Sequence, residues 1–216
     1  MPEFRLPKVY PLTDTRLSGL THREQARALV DGGCRFLQIR DKSMSSGSFF
    51  EAALETLAVV RAAGGRLIVN DRVDVAIMIG ADGVHLGQDD LPPTEARRLL
   101  GPKSVIGFST HTVEQAIEAS RLPLDYIAFG PIFPTGSKPD HDPVVGVDAI
   151  AKVRDAIGDI PLVAIGGIDA SNISAVLDAG ADSAAVIGAV LGEPGKIAAR
   201  FTELASAAEA RLASLI

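Results

Sequence analysis

The sequence predicts a single-domain (β/α)8 TIM barrel, and three observations carry that expectation. Eight short runs of apolar and β-branched residues alternate strictly with alanine-rich helical patterns along 216 residues. The runs are almost continuously apolar, which suits parallel strands covered on both faces. The chain also echoes itself: "GADGVHLG" (80–87) and "GADSAAVIG" (180–188) each close a helix on glycine and open a strand through aspartate. A doubly wound sheet is the alternative that the same alternation permits. No polar linker or low-complexity tract divides the chain, so one domain over residues 1–216 is the economical reading.

Taken in order, the first strand is "KVYPLTD" (8–14), followed by the helical pattern "THREQARALVDGG" (21–33), where Thr21 is an N-cap with Glu24 at the capping-box position. "RFLQIRDK" (35–42) leads into "SFFEAALETLAVVRAAG" (48–64), and "RLIVND" (66–71) into a helix that begins near Arg72. "DGVHLGQ" (82–88) precedes "PTEARRLLG" (93–101), and "SVIGFST" (104–110) precedes "TVEQAIEAS" (112–120). "DYIAFGP" (125–131) is followed, after a proline-rich loop, by "VDAIAKVRDAIG" (147–158). "PLVAIGG" (161–167) with "ASNISAVLDAG" (170–180), then "DSAAVIGA" (182–189) with "GKIAARFTELASAAEARLASL" (195–215), complete the set.

Composition removes several function classes. With 47% hydrophobic residues the chain can fill a sizeable core, and a net charge of −6 argues against nucleic acid or an anionic membrane surface as the main partner. An anionic ligand must then be held by local positive groups. The single cysteine, Cys34, excludes an intrachain disulfide framework and reads as a small buried residue. The opening "MPEFRLPKVY" has no apolar leader core, and "SAAVIGAVLG" falls far short of the roughly 18 apolar residues of a spanning helix. A cytoplasmic protein is expected.

Barrels of this kind build their sites at the C-terminal ends of the strands, so those ends are where chemistry is expected. They carry "QIRDK" (38–42), "VNDR" (69–72), "LGQDD" (86–90), "FSTHT" (108–112), "GPIFPTGSK" (130–138), "IGG" (165–167) and "VIGA" (186–189). Arg40 and Lys42 share one strand end and Lys138 follows another, and convergence of the three on a phosphate or carboxylate is favoured over a merely solvated strand end. Asn70-Asp71 and Asp89-Asp90 read two ways, as helix caps or as hard oxygen ligands for Mg2+ whose shell a substrate phosphate completes; magnesium is slightly favoured. His85 faces away from Val84 and Leu86 and reads as a hydrogen-bonded interior histidine, while His111 has no sequence neighbour to orient it. No Ser-His-Asp, HExxH or CxxC arrangement is present. Gly166-Gly167 and "VIGA" follow strands seven and eight, where barrels often cradle phosphate on loop amides. The residues alone therefore indicate a magnesium-assisted barrel enzyme with two phosphate sites and two small-molecule substrates.

"QIRDK", "VNDRVDVA", "DGVHLGQDD", "IGFSTHT", "FGPIFPTGSKPDHDPVVG" and "AIGGI" stand in one order from Tyr10 to about Ala189, and that ordered set resembles the thiamine-phosphate synthase family. The resemblance implies condensation of hydroxymethylpyrimidine diphosphate with a thiazole phosphate, or its 2-carboxy form, giving thiamine monophosphate and pyrophosphate. It implies that Gln38, Ile39, Arg40, Asp41, Lys42, Asn70, Ser109 and Lys138 hold the pyrimidine diphosphate, with Arg40, Ser109 and Lys138 catalytic. It implies Asp71 and Asp90 as Mg2+ ligands, and Thr135, Gly136, Ser137, Gly166, Ile187 and Gly188 as the thiazole phosphate site. The chain departs from the family's usual residues at Asp41, often glutamate, at Ser137, often threonine, and at Gly188, often serine. Only Gly188 loses a functional group, so a phosphate there must be met by the backbone. The implied chemistry is dissociative, with pyrophosphate leaving a stabilised pyrimidine cation that the thiazole nitrogen captures. Two rivals stand beside it: a related thiazole tautomerase, whose members often carry a histidine where this chain has Pro131, and a non-enzymatic sensor of phosphate ligands. The oligomeric state is left open, a homo-oligomer included.

Overall fold

A computed structural model describes residues 5–136 and 143–213. The strands are β1 (Val9–Thr13), β2 (Phe36–Ile39), β3 (Arg66–Asn70), β4 (Gly83–Leu86), β5 (Val105–Thr110), β6 (Tyr126–Phe129), β7 (Leu162–Ile165) and β8 (Ser183–Val186). Each pairs in parallel with the next, and β8 returns to pair with β1. The sheet is a closed barrel, which disposes of the doubly wound alternative. Around it lie α1 (Thr15–Ser18), α2 (His22–Asp31), α3 (Ser46–Ala62), α4 (Val73–Ile79), α5 (Pro93–Leu100), α6 (Val113–Ala119), α7 (Asp148–Ile157), α8 (Ile173–Asp178), α9 (Gly188–Leu191) and α10 (Ile197–Ala213). The capping box at Thr21 and Glu24 is formed. The short α1 and α9, and a 3-10 turn at Pro194–Lys196, were not expected; three or four residues are too few to show a helical period.

Strand side chains alternate between two apolar layers. Leu37, Ile39, Leu67, Val69, Val84, Leu86 and Ile106 face outward beneath the helices, where Leu29, Leu57, Val153, Val176 and Phe201 meet them. Each such side chain contributes roughly 1.5–3 kcal/mol when fully buried. Tyr10, Leu12, Phe36, Ile68, Val105, Tyr126, Ala128, Val163 and Ala185 form a separate cluster inside the barrel. Tyr126 crosses the interior because position 107 is glycine: a Cβ there would lie 2.0 Å from the phenol ring.

The sequence echo has a structural meaning at the opposite end of the barrel. Asp82 opens β4 and its carboxylate accepts from the amide of Leu67 in β3 at 2.9 Å; Asp182 opens β8 and accepts from Leu162 in β7 at 2.8 Å. Asp125 does the same for Ile106 at 2.7 Å. An arginine from a neighbouring helix anchors two of these carboxylates, Arg97 with Asp125 at 2.6 Å and Arg154 with Asp182.

Candidate active site

Along several strands the inward stripe turns from apolar to polar as it approaches the C-terminal end. In β2 and the loop after it, Phe36 gives way to Gln38 and Arg40; in β3, Ile68 gives way to Asn70; in β5, Val105 and Gly107 give way to Ser109. The period of two in a strand therefore delivers these polar side chains to one mouth over an apolar floor.

On one side of the mouth a cavity of about 370 Å3 is lined by Arg40, Lys42, Asn70, Asp71, Asp90 and Ser109, among others. Arg40 is only 5% exposed, and its Nη1 lacks a hydrogen-bond partner among the described residues while lying 3.6 Å from Asp14 Oδ2. Burial works against its charge and lowers its pKa, with Asp14 and Asp71 opposing. Lys42 Nζ stands 3.3 Å from Asp71 Oδ2. Asp71 is, among the described residues, the one non-glycine in the left-handed region, at φ 60°. Burial, then a hydrogen bond with the Asp90 carboxyl, pushes its pKa up to about 6, and Lys42 offsets only part of this. Asp90 Oδ2 also accepts from the Gly87 amide at 2.7 Å.

Neither carboxylate is a helix cap. The N-caps are Arg72 for α4 and Pro92 for α5, both without a side-chain cap bond. Two carboxylates so close that one tends to keep its proton form a donor set short of positive charge. Among the described residues no group of three or more His, Cys, Asp and Glu gathers as a metal site. Paired carboxylates of this kind fit a hard divalent cation whose remaining ligands are substrate phosphate and water.

Across the mouth a second cavity of about 370 Å3 is lined by Thr135, Gly136, Gly166, Ile187 and Gly188, with Pro131 at its wall. Gly166 and Gly167 adopt φ 104° and 63°, and a Cβ on either would strike the loop after β6, 2.6 Å from Pro131 Cα or from Pro134 O. Amides from Ile132 and Phe133 tie that loop to the carbonyls of Ile165 and Gly166. Ile187 is the N-cap of α9 and Gly188 its first residue, so backbone alone is offered at that position. Ser109 and His111 line both cavities. The Gly130 carbonyl accepts from His111 Nδ1 at 2.7 Å, which supplies the orientation that no sequence neighbour could.

Two expected contacts are turned away from the cavities. Ile39 is fully buried in the outer layer. Asp41 accepts from Ser43 and the Met44 amide through Oδ1, and from Thr15 and His22 through Oδ2. Burial acts to raise its pKa, but these hydrogen bonds outweigh it and hold the pKa well below the usual carboxylate range. Only the backbone of these two residues is left for a ligand. Ser137 and Lys138 lie outside the described residues.

The interior adds residues that the strand-end reading passed over. Gln38 Nε2 donates to Tyr10 Oη at 2.9 Å, Tyr10 and Tyr126 hydroxyls are 3.1 Å apart, and Tyr126 Oη lies 2.9 Å from His85 Nδ1. His85 Nε2 is 2.8 Å from Ser109 Oγ. Asp14, at the end of β1, was missed as well. It caps α1 and faces both Arg16 and Arg40.

The thiamine monophosphate synthase family model matches residues 9–190. A thiamine-phosphate synthase of Methanocella arvoryzae is 48% identical over 186 residues, covering 86% of this chain and 87% of that protein. One from Chloroflexus aurantiacus is 46% identical over 185 residues, 85% of each chain. The solved thiamine phosphate pyrophosphorylase of Pyrococcus furiosus superposes with a TM-score of 0.85 at 35% identity, covering 95% of this chain and 96% of that one. The chain therefore belongs to the thiamine monophosphate synthase family.

Proposed function

We propose that the protein condenses 4-amino-2-methyl-5-hydroxymethylpyrimidine diphosphate with 4-methyl-5-(2-hydroxyethyl)thiazole phosphate, or its 2-carboxy form, to give thiamine monophosphate and pyrophosphate. The observation that carries this reading is the pair of cavities sharing Ser109 and His111, one built of cations and carboxylates, the other of glycine-rich backbone. Family membership supports it.

In this reading Arg40 and Lys42 hold the diphosphate, joined by Lys138 on the strength of the family resemblance. Their positive charge favours departure of pyrophosphate, which takes the C–O bonding pair. Asp71 and Asp90 are the residues that would hold Mg2+, and the bound ion would neutralise charge on the leaving oxygens. Gln38, Asn70 and Ser109 fix the pyrimidine above an apolar floor that keeps water from its electron-poor methylene carbon. Thr135, Gly136, Ser137, Gly166, Ile187 and Gly188 hold the second phosphate and set the thiazole nitrogen toward that carbon, where its lone pair forms the new C–N bond. No protein nucleophile is required.

Purified protein incubated with both substrates and Mg2+ should yield thiamine monophosphate and pyrophosphate in equal amounts by mass spectrometry. Folded protein that leaves both substrates intact would refute the reading.

A further inference from the structure

Gln38 and Ser109 stand at the two ends of one buried chain of hydrogen bonds, running through Tyr10, Tyr126 and His85 across strands β2, β1, β6, β4 and β5. Every link is 3.1 Å or shorter, and the Gln38, Tyr10, Tyr126 and His85 side chains belong to residues no more than 8% exposed. Its direction follows from one end. The Gln38 amide nitrogen can only donate, so the Tyr10 oxygen accepts and its proton goes to Tyr126. Tyr126, having accepted, gives its own proton to His85 Nδ1. His85 then carries its hydrogen on Nε2 and donates it to Ser109 Oγ, whose own hydrogen is left for an outside acceptor. Burial keeps both phenols protonated by raising their pKa values, so each retains the proton the relay needs. At the other end the Gln38 Oε1 atom is buried without a hydrogen-bond partner among the described residues. A buried carbonyl oxygen left this way is costly unless a ligand donor meets it.

We propose that Tyr10, Tyr126 and His85 are positioning residues that set the hydrogen-bond polarity of the pyrimidine site: Gln38 as acceptor and Ser109 as donor. A ring that offers an amino N–H beside a ring-nitrogen lone pair meets that polarity. A ring with an oxo group beside a ring N–H presents the reverse pattern and meets like against like. The chain thus selects the amino tautomeric edge through Gln38 and Ser109, with Tyr10 and Tyr126 acting from the interior and His85 alone of the middle members reaching the cavity wall. This rests on the reading of Gln38 and Ser109 as pyrimidine contacts given above.

The first test needs no substrate. Nitrogen-15 NMR of the histidine-labelled protein, with His85 assigned against a His85→Gln sample, should show the neutral Nε2–H tautomer. An Nδ1–H tautomer makes His85 the donor to Tyr126 and the acceptor from Ser109, and overturns the proposal whatever the activity. The second test is Tyr126→Phe, which keeps the ring stacked on His85, at 5.5 Å and 18° in the present structure, and removes only the linking hydroxyl. It should raise KM for the pyrimidine diphosphate about tenfold, leave KM for the thiazole phosphate unchanged, and erode discrimination against the oxo analogue. Tyr10→Phe, cutting the chain one link earlier, should do the same. Unchanged pyrimidine KM and discrimination in folded forms of both variants overturns the proposal. A wild-type protein that turns over neither substrate refutes the reaction, and the tautomer still decides the chain.

Discussion

With the proposed metal role, Asp71 would carry opposite consequences for stability and for activity. Its folded pKa of about 6 lies above its ordinary value of 3.8, so the metal-free fold favours the protonated acid. The stability this contributes is present in full below pH 3.8 and is lost as the pH rises through about 6. Asparagine keeps the shape, tolerates the left-handed backbone and removes the charge. Asp71→Asn should therefore melt a few degrees higher than wild type at pH 8 without metal, with the gap closing by pH 4. Activity should nevertheless fall by roughly 10²–10³-fold and recover partly at high Mg2+. Asp90→Asn should lose activity alike. Thermal melts and rates at limiting magnesium check both; full activity in both variants would leave these carboxylates without a metal role. The strand-end rule made Arg40, Lys42, Asn70, Asp71 and Asp90 legible because each ends a strand or follows one within four residues. It did not resolve caps from ligands, since that depends on how α4 and α5 begin. His111 was illegible for a related reason: the carbonyl that orients it belongs to Gly130, in the loop after β6.

Among the elements, the aspartates that open β4, β6 and β8 hold the barrel at the end away from the chemistry. Asp125 accepts the Ile106 amide and pairs with Arg97, whose guanidinium also bonds the carbonyls of Gly101, Ser104 and Pro123. Asp125→Ala should leave that amide and a half-buried arginine short of a partner, costing about 2 kcal/mol. The midpoint of melting should drop by roughly 4–8 °C while KM for both substrates stays unchanged. Calorimetry with steady-state kinetics on one preparation reads both; a changed KM would mean that strain reaches the mouth. The "GAD" echo made two of these residues visible as a repeat, yet their partners are amides of the preceding strand, which no local pattern exposes. The strands themselves were legible throughout, because burial on both faces leaves long apolar runs. Except in β5, which ends at Thr110 as read, their C-terminal ends were read one or more residues too long, because the polar residues and glycines that follow still continue the extended chain.

At the scale of the molecule, eight consecutive βα units were enough to expect closure, and β8 on β1 completes it. What the sequence could not convey is how the interior is divided: Tyr10 and Tyr126 look like ordinary strand aromatics until the barrel brings them within 3.1 Å across more than a hundred residues. Nor could it show that Ser109 and His111 face two cavities at once. In the proposed reaction that shared wall would turn the mouth into a cage in which two fates compete. A fragment ionised on one side would either recombine with the pyrophosphate just released or meet the thiazole nitrogen in the adjacent cavity. With the pyrimidine diphosphate bound alone, recombination should win, and an oxygen-18 label in the bridge between carbon and phosphorus should scramble into the neighbouring non-bridging positions. Filling the adjacent cavity with thiazole phosphate should suppress that scrambling in proportion to product formed, as phosphorus NMR can follow. The wall shared by the two cavities would then act as a clock, its thickness setting how long the cation survives before it is caught.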